Sequence, residues 1–299
     1  MMNLPKSALL FLLVFLLGCG NSNKKEDLTV QYEEEDLSEL IVSDEAMNEV
    51  IQNIASPIEV ASLLNDLDVP FSVSYLSDPG KMSNHAPSFE MAYNLGALSS
   101  DLGYLNMYSK TGSSINYLST INKLADALEV GQFFDFVLMK RLATSNNTLD
   151  SLMFVSMSSF NRMDDFLRLT ERSNLSSLMV AGVWIEGLYL ATQVVDEANH
   201  ADIRNMIGEQ KLILNDILII MQAYASDEKF AVVLEDYREI KKSYDKVSIS
   251  YQIGEPETVE IDGMLMVVQN ESSTITMSDE TLSEIIDVTE RIRNKHLNI

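Results

Sequence analysis

The sequence predicts a mainly α protein: an antiparallel helical bundle or short α-solenoid, followed by a small C-terminal β-hairpin and a capped helix. Three observations carry this expectation. Apolar residues recur at helical spacing over long stretches, as at Met47, Val50, Ile51 and Ile54. No proline stands between Pro87 and Pro256, and proline is the residue a helix interior tolerates least. Strand-like alternation is confined to two short places, around residues 71–75 and 247–268.

Residues 1–18 read as a signal peptide. Lys6 supplies the basic start and Ala8 to Leu17 is an unbroken apolar run. At about 1.5 Å per residue this run is far short of the roughly 30 Å hydrocarbon core, so a spanning anchor is not expected. The run ends Leu16-Leu17-Gly18-Cys19, which resembles a bacterial lipobox. That resemblance implies cleavage before Cys19 and lipidation of this residue, the single cysteine of the chain. Two or three acyl chains anchor durably, at about 0.8 kcal/mol per buried methylene. Gly20, where aspartate would imply inner-membrane retention, points to the outer membrane. The lack of an acidic cluster directly after Cys19 favours its periplasmic face over the cell surface.

Residues 19–43 form an acidic tether around Glu33-Glu34-Glu35-Asp36, a run without the glycine and spaced ligands of a calcium loop. A helical domain is expected over 44–246. Ser56-Pro57-Ile58-Glu59 has a capping serine followed by proline at the first helical position. Phe71, Val73 and Tyr75 alternate with serines and suggest a short extended piece, closed by a turn at Asp78-Pro79-Gly80. Six helices follow, near 87–109, 113–129, 131–143, 147–171, 175–199 and 201–246, the last broken near Ser226-Asp227. Over 247–299, Asp262-Gly263 between two apolar runs signals a hairpin. Ser278 caps a last helix with the apolar stripe Leu282, Ile285, Ile286, Thr289 and Ile292. Arg291, Arg293, Lys295 and His296 there suit the negative end of the helix dipole. The hairpin and helix are expected to pack on the helical domain, since a lone hairpin is marginal in water.

Two helices echo each other. Asp101-Leu102-Gly103-Tyr104-Leu105 parallels Glu186-Gly187-Leu188-Tyr189-Leu190, with Ala97 and Gly182 four residues before each acid. These positions share one helical face. The echo suggests an internal duplication, with repeats near 87–143 and 175–246; chance similarity of two apolar helices is the alternative. Glu186 is the sole charged residue between Leu178 and Val195. A buried carboxylate must be paired, hydrogen-bonded or protonated. Asp101, Tyr104, Glu186 and Tyr189 are therefore a candidate cleft or buried polar cluster. Either they are acid/base or ligand groups in a cleft, or they hold helices together, which is the favoured reading.

With 21 Lys and Arg against 45 Asp and Glu, the formal charge is −24. A phosphate backbone would be repelled, so nucleic acid is not an expected partner. Glu197-Ala198-Asn199-His200 has di-iron spacing, but no second copy accompanies it. Met153, Met157 and Met163, among Phe154, Phe160 and Phe166, read as core rather than as a copper site. No hydrolase elbow, Walker loop or dinucleotide-binding glycine motif occurs. No catalytic residue, metal or cofactor is thus expected, and an enzyme has no support from motifs.

The runs Tyr93-Asn94-Leu95-Gly96, Asp101-Leu102-Gly103-Tyr104, Asn116-Tyr117-Leu118 and Lys123-Leu124-Ala125-Asp126, with the segment from Ala181 to Ala191 and the terminal Arg291-Ile292-Arg293-Asn294, resemble helical lipoproteins of Bacteroidetes. The resemblance covers most of residues 86–299. It implies an envelope address and a helical fold, and it transfers no catalytic residues because that family has no established activity. The expected function is that of a lipid-anchored helical scaffold binding a protein or peptide, with a basic partner favoured by the acidity. A small-molecule carrier or enzyme with a cleft near Asp101 and Glu186 is one alternative, and a structural lipoprotein without a ligand is another.

Overall fold

The computed structural model describes residue 67 and residues 69–143, 149–198, 200–253, 257–261, 264–268 and 271–298. The signal peptide, Cys19, the acidic tether and the helices expected over 44–66 lie outside the described residues. Among the described residues the protein is mainly α. Its helices are α1 (Ser88–Met107), α2 (Thr111–Ala127), α3 (Phe136–Ala143), α4 (Leu149–Leu169), α5 (Ser173–Ala198), α6 (Ala201–Gln222), α7 (Glu228–Tyr244) and α8 (Asp279–Leu297).

Helix α5 is the hub and packs against α1, α4, α6 and α8. It is long and apolar enough to cross a membrane, yet 94% of its apolar window is buried within the protein. That is the signature of a helix apolar on all sides at the centre of a bundle. Its most extensive contact is with α1, and the sequence explains why. A Cβ on Gly182 would lie 2.1 Å from the Tyr93 carbonyl oxygen, and one on Gly96 would lie 1.9 Å from that of Met179. The two backbones approach this closely because both crossing positions lack a side chain. Ser100 Oγ then donates to the Val183 carbonyl at 2.7 Å. Gly96 faces Met179 and Val183 while Ser100 meets Val183 further along, so α1 and α5 run parallel. The echoing sequences are thus the two facing sides of one helix crossing.

Three further helix pairs are joined by tyrosine and tryptophan. Trp184 Nε1 donates to Gln210 on α6 at 2.9 Å, Tyr237 OH on α7 to the Ala181 carbonyl at 2.7 Å, and Tyr244 OH to that of Ile207 at 3.0 Å. Each of these three groups has an acceptor, as burial requires.

Several expectations change in detail. Residues 73–75 form a 3-10 turn, not an extended piece; Tyr75 turns inward while Val73 is 67% exposed. The helix expected over 131–143 is a 3-10 turn at Gly131–Phe133 followed by α3. Helix α2 begins at Thr111, two residues before the start expected at 113. Ser109 and Glu171, at φ 53° and 60°, carry the left-handed conformation just after α1 and α4. The break near Ser226-Asp227 is present, with Asp227 accepting from Lys229 N and Phe230 N to cap α7. Phe154 and Met157, expected in the core, are 73% and 47% exposed, whereas Met163 is buried.

After α7, β1 (Ser248–Ile253) pairs with β4 (Glu271–Thr276), and β2 (Glu257–Ile261) with β3 (Met264–Val268). The β2–β3 pair is antiparallel, with Glu257 opposite Val268 and Ile261 opposite Met264. The stretch Tyr251–Ser272 belongs to a compact unit separate from the helical body. Ser278 Oγ caps α8 by accepting from Thr281 N at 3.1 Å.

Candidate functional site

The apolar stripe of α8 contains one cation. Arg293 follows Thr289 by four and Ile285 by eight, so it faces inward with them, and its side chain is 4% exposed. A guanidinium can stay there only against an anion, and Glu186 supplies one from the middle of α5. Arg293 Nη2 donates to Glu186 Oε1 at 2.6 Å and Nε to Oε2 at 2.8 Å, the bidentate fork that suits a carboxylate. The guanidinium also stacks on the Tyr189 ring, 4.1 Å from its centre. Burial alone would lower the Arg293 pKa. Its hydrogen bonds to Glu186, and the charge of Glu186, hold it above the ordinary value instead.

The segment before α1 closes this cluster. Ser77 Oγ accepts from Arg293 Nη2 at 2.8 Å and donates to Glu186 Oε1 at 3.1 Å. Its N–H donates to Asp101 Oδ2 at 3.1 Å, and its carbonyl accepts from Tyr117 OH of α2 at 2.5 Å. Burial pushes the Tyr117 phenol up, so it keeps the proton that it donates. Asp101 and Glu186 are both fully buried, leaving two acids against one guanidinium. Burial, followed by the Glu186 charge, raises the Asp101 pKa well above its ordinary value. Protonated Asp101 can then hydrogen bond to Glu186, and the trio is neutral.

Asp101, Glu186 and Tyr189 therefore come together with Arg293, Ser77 and Tyr117. Tyr104 goes elsewhere: its hydroxyl accepts from Ser72 N at 3.0 Å, and its ring stacks on Phe71. The sequence reading missed Arg293, assigning it to the helix dipole, and missed Ser77. The available signal was position, since Arg293 is a cation on the apolar stripe, matching the lone charge between Leu178 and Val195 in α5. Enclosure also limits the chemistry. Neither carboxylate has any exposure, so a substrate could reach them only if the Tyr75–Ser77 segment moved aside.

A second polar cluster lies nearby. Tyr93 OH and Tyr237 OH are 3.1 Å apart. His296 packs on the Tyr93 ring at 5.2 Å, and its Nε2 is 2.7 Å from Asp236 Oδ2. Lys295 Nζ also donates to that carboxylate at 2.7 Å. Burial lowers the His296 pKa, against the pull of Asp236. His200, considered above for its metal-like spacing, caps α6 by accepting from Asp202 N at 3.3 Å. An open polar cleft of about 270 Å³ is lined by Glu171, Ser173, Asn174, Tyr224, Ser226 and Asp227. Its Asn174 and Asp227 carboxamide and carboxylate oxygens already accept backbone N–H groups.

Together these features define a helical bundle sealed around a buried arginine–carboxylate cluster. No protein-family model, curated protein or solved structure matches the chain.

Proposed function

We propose that the chain is a cell-envelope lipoprotein, held at the membrane by lipid on Cys19, whose helical body is a scaffold that binds a basic protein or peptide. The observation that carries this reading is the enclosure of Asp101 and Glu186. The one pair of acids marked by sequence as a candidate reaction centre is spent on internal pairing, which leaves recognition to outer surfaces. Two features support such recognition. Phe154 and Met157 are exposed one turn apart on α4, and 45 acids against 21 Lys and Arg make the molecule strongly acidic. The lipobox-like run at Cys19 and the resemblance to Bacteroidetes lipoproteins support the address: outer membrane, periplasmic face.

Two experiments test the two halves. An alkyne-tagged palmitate should label the full chain in cells and fail to label Cys19→Ser; equal labelling overturns the anchor. A photo-cross-linking residue at position 154 or 157 should capture a partner in a product that disappears at high salt. Capture no stronger at these positions than at Val232, an exposed apolar site on α7, overturns the scaffold and leaves a structural lipoprotein.

A further inference from the structure

Strand β2 is the acidic half of its ribbon. Glu257 and Glu260 lie on it, and Glu255 and Asp262 flank it in sequence. Strand β3 carries no charge. The register sets Val268 opposite Glu257 and Leu265 opposite Glu260, so the ribbon itself brings no cation to either acid. The neighbouring sequence supplies none, since no Lys, Arg or His stands between Lys246 and Arg291. A local excess of one sign, unmatched within its own element, favours a partner of the other sign.

The same strand has an open edge. Among the described residues β2 and β3 form a sheet of two strands, so β2 pairs along one side only. A two-stranded ribbon is marginal in water and gains from a third strand. A row of unpaired N–H and C=O groups is a template for adding one. Charge then decides which strand can be added. A second copy of β2 would bring its own glutamates to an edge that already holds two, and like charges across a strand pair are destabilising. A basic strand turns the same acids into attractive cross-strand pairs.

We propose that the outer edge of β2 is a strand-addition site for a basic, extended segment of a partner protein or peptide. Glu257 and Glu260 are three positions apart and therefore belong to opposite faces of the ribbon. A segment with lysine or arginine at positions three apart, and β-branched residues between them, meets both acids while its main chain continues the ladder. Main-chain hydrogen bonds supply the affinity, and the spacing of the charges selects the sequence. This inference rests on the basic-partner reading above for the class of partner, and assigns it to residues other than Phe154 and Met157.

The test titrates the full chain with a fluorescent peptide of repeated lysine–valine–threonine triplets, at roughly 10 mM salt where the screening length is about 30 Å. Saturable binding is expected, and Glu257→Gln/Glu260→Gln should weaken it about tenfold or more. The same peptide N-methylated at consecutive residues keeps its charges but cannot extend a ladder, so it should also bind about tenfold more weakly or worse. Successive amides of a strand point to opposite edges, so one of the Thr258 and Val259 amides should exchange more slowly with the unmodified peptide bound. No saturable binding, or equal binding by the N-methylated peptide, overturns the proposal. Equal binding by the variant, with its circular dichroism unchanged, does so too. If the variant does not fold, the N-methylated peptide and amide exchange on the unaltered chain decide: exchange unaltered at both positions overturns the site. Cross-linking at positions 154 and 157 is independent of these outcomes, so failure here leaves the scaffold reading standing.

Discussion

Arg293 donates two hydrogen bonds to Glu186 and one to Ser77 from a position 4% exposed. Its removal would strand two acids in a dry interior. Arg293→Met is therefore expected to destabilise the fold by roughly 3–5 kcal/mol, mostly through uncompensated charge rather than lost attraction. The control is the double variant Glu186→Leu/Arg293→Leu, which removes the charge problem from both sides. It should recover most of that loss in urea denaturation, and a double variant as unstable as the single one would show that the ion pair itself is strongly stabilising. Asp101 gives a prediction about pH. Its folded pKa lies above its ordinary value of 3.8, so the folded state holds a proton that the unfolded state releases. The stabilising contribution of that proton is complete below about 3.8 and declines as pH rises through the folded value. The groups facing it are Glu186 from α5, Arg293 from α8 and Tyr117 from α2. Asp101→Asn keeps a group of the same shape without the titration. Its stability relative to the unaltered chain should increase between pH 5 and pH 8, and a constant difference would mean that Asp101 does not hold the extra proton. The His296 slope is common to both proteins and cancels in the comparison.

At the scale of elements, the α1–α5 crossing depends on two residues with no side chain. A Cβ at position 182 would stand 2.1 Å from the Tyr93 carbonyl oxygen and 3.2 Å from the Ala97 nitrogen, both backbone atoms that cannot rotate away. Gly182→Ala should cost about 1–3 kcal/mol by forcing the helices apart, although alanine is the better helix former. A thermal melt unchanged by the substitution would contradict the close crossing. The sequence displayed this crossing in outline. The matched acids, tyrosines and small residues mark equivalent faces, and an apolar stretch with one carboxylate announces a buried helix. It could not display what completes the cluster. Arg293 lies 107 positions from Glu186 and Ser77 lies 109 from it, and nothing local in the charged helix α8 distinguishes an inward arginine from the outward Arg291 except its place on the apolar stripe. The 3-10 turn at Val73–Tyr75 was equally hidden. Its alternation mimics a strand, but tertiary hydrogen bonds from α1, α2 and α8 decide its shape. The exposed Phe154 and Met157 show the reverse error, since apolar residues at helical spacing predict a face without saying whether anything covers it.

Across the whole molecule, 21 Lys and Arg must serve 45 acids, and the fold places many of its bases at seams between elements. Arg291 joins Glu239 at 2.7 Å, Lys246 joins Glu284 at 2.5 Å and Lys295 joins Asp236 at 2.7 Å, all between α8 and the α7 region. Arg204 links α6 to Asp279 at the start of α8, at 2.8 Å. The chain as a whole keeps a large excess of negative charge, and a compact state concentrates such charge more than the unfolded chain does. Two effects of salt then oppose each other. Screening weakens the exposed seam pairs, each worth about 0–1 kcal/mol, and also relieves the general repulsion. The excess of acids is large, so repulsion should dominate. Raising sodium chloride from roughly 10 to 150 mM shortens the screening length from about 30 to 8 Å, and the urea midpoint should rise. The Glu186–Arg293 pair, shielded from ions, should contribute equally at both concentrations, so the loss caused by Arg293→Met should not depend on salt. A midpoint that falls with salt would assign the stability to the seam pairs, and would make the acidic surface a consequence of how the helices are joined rather than a feature kept for a basic partner.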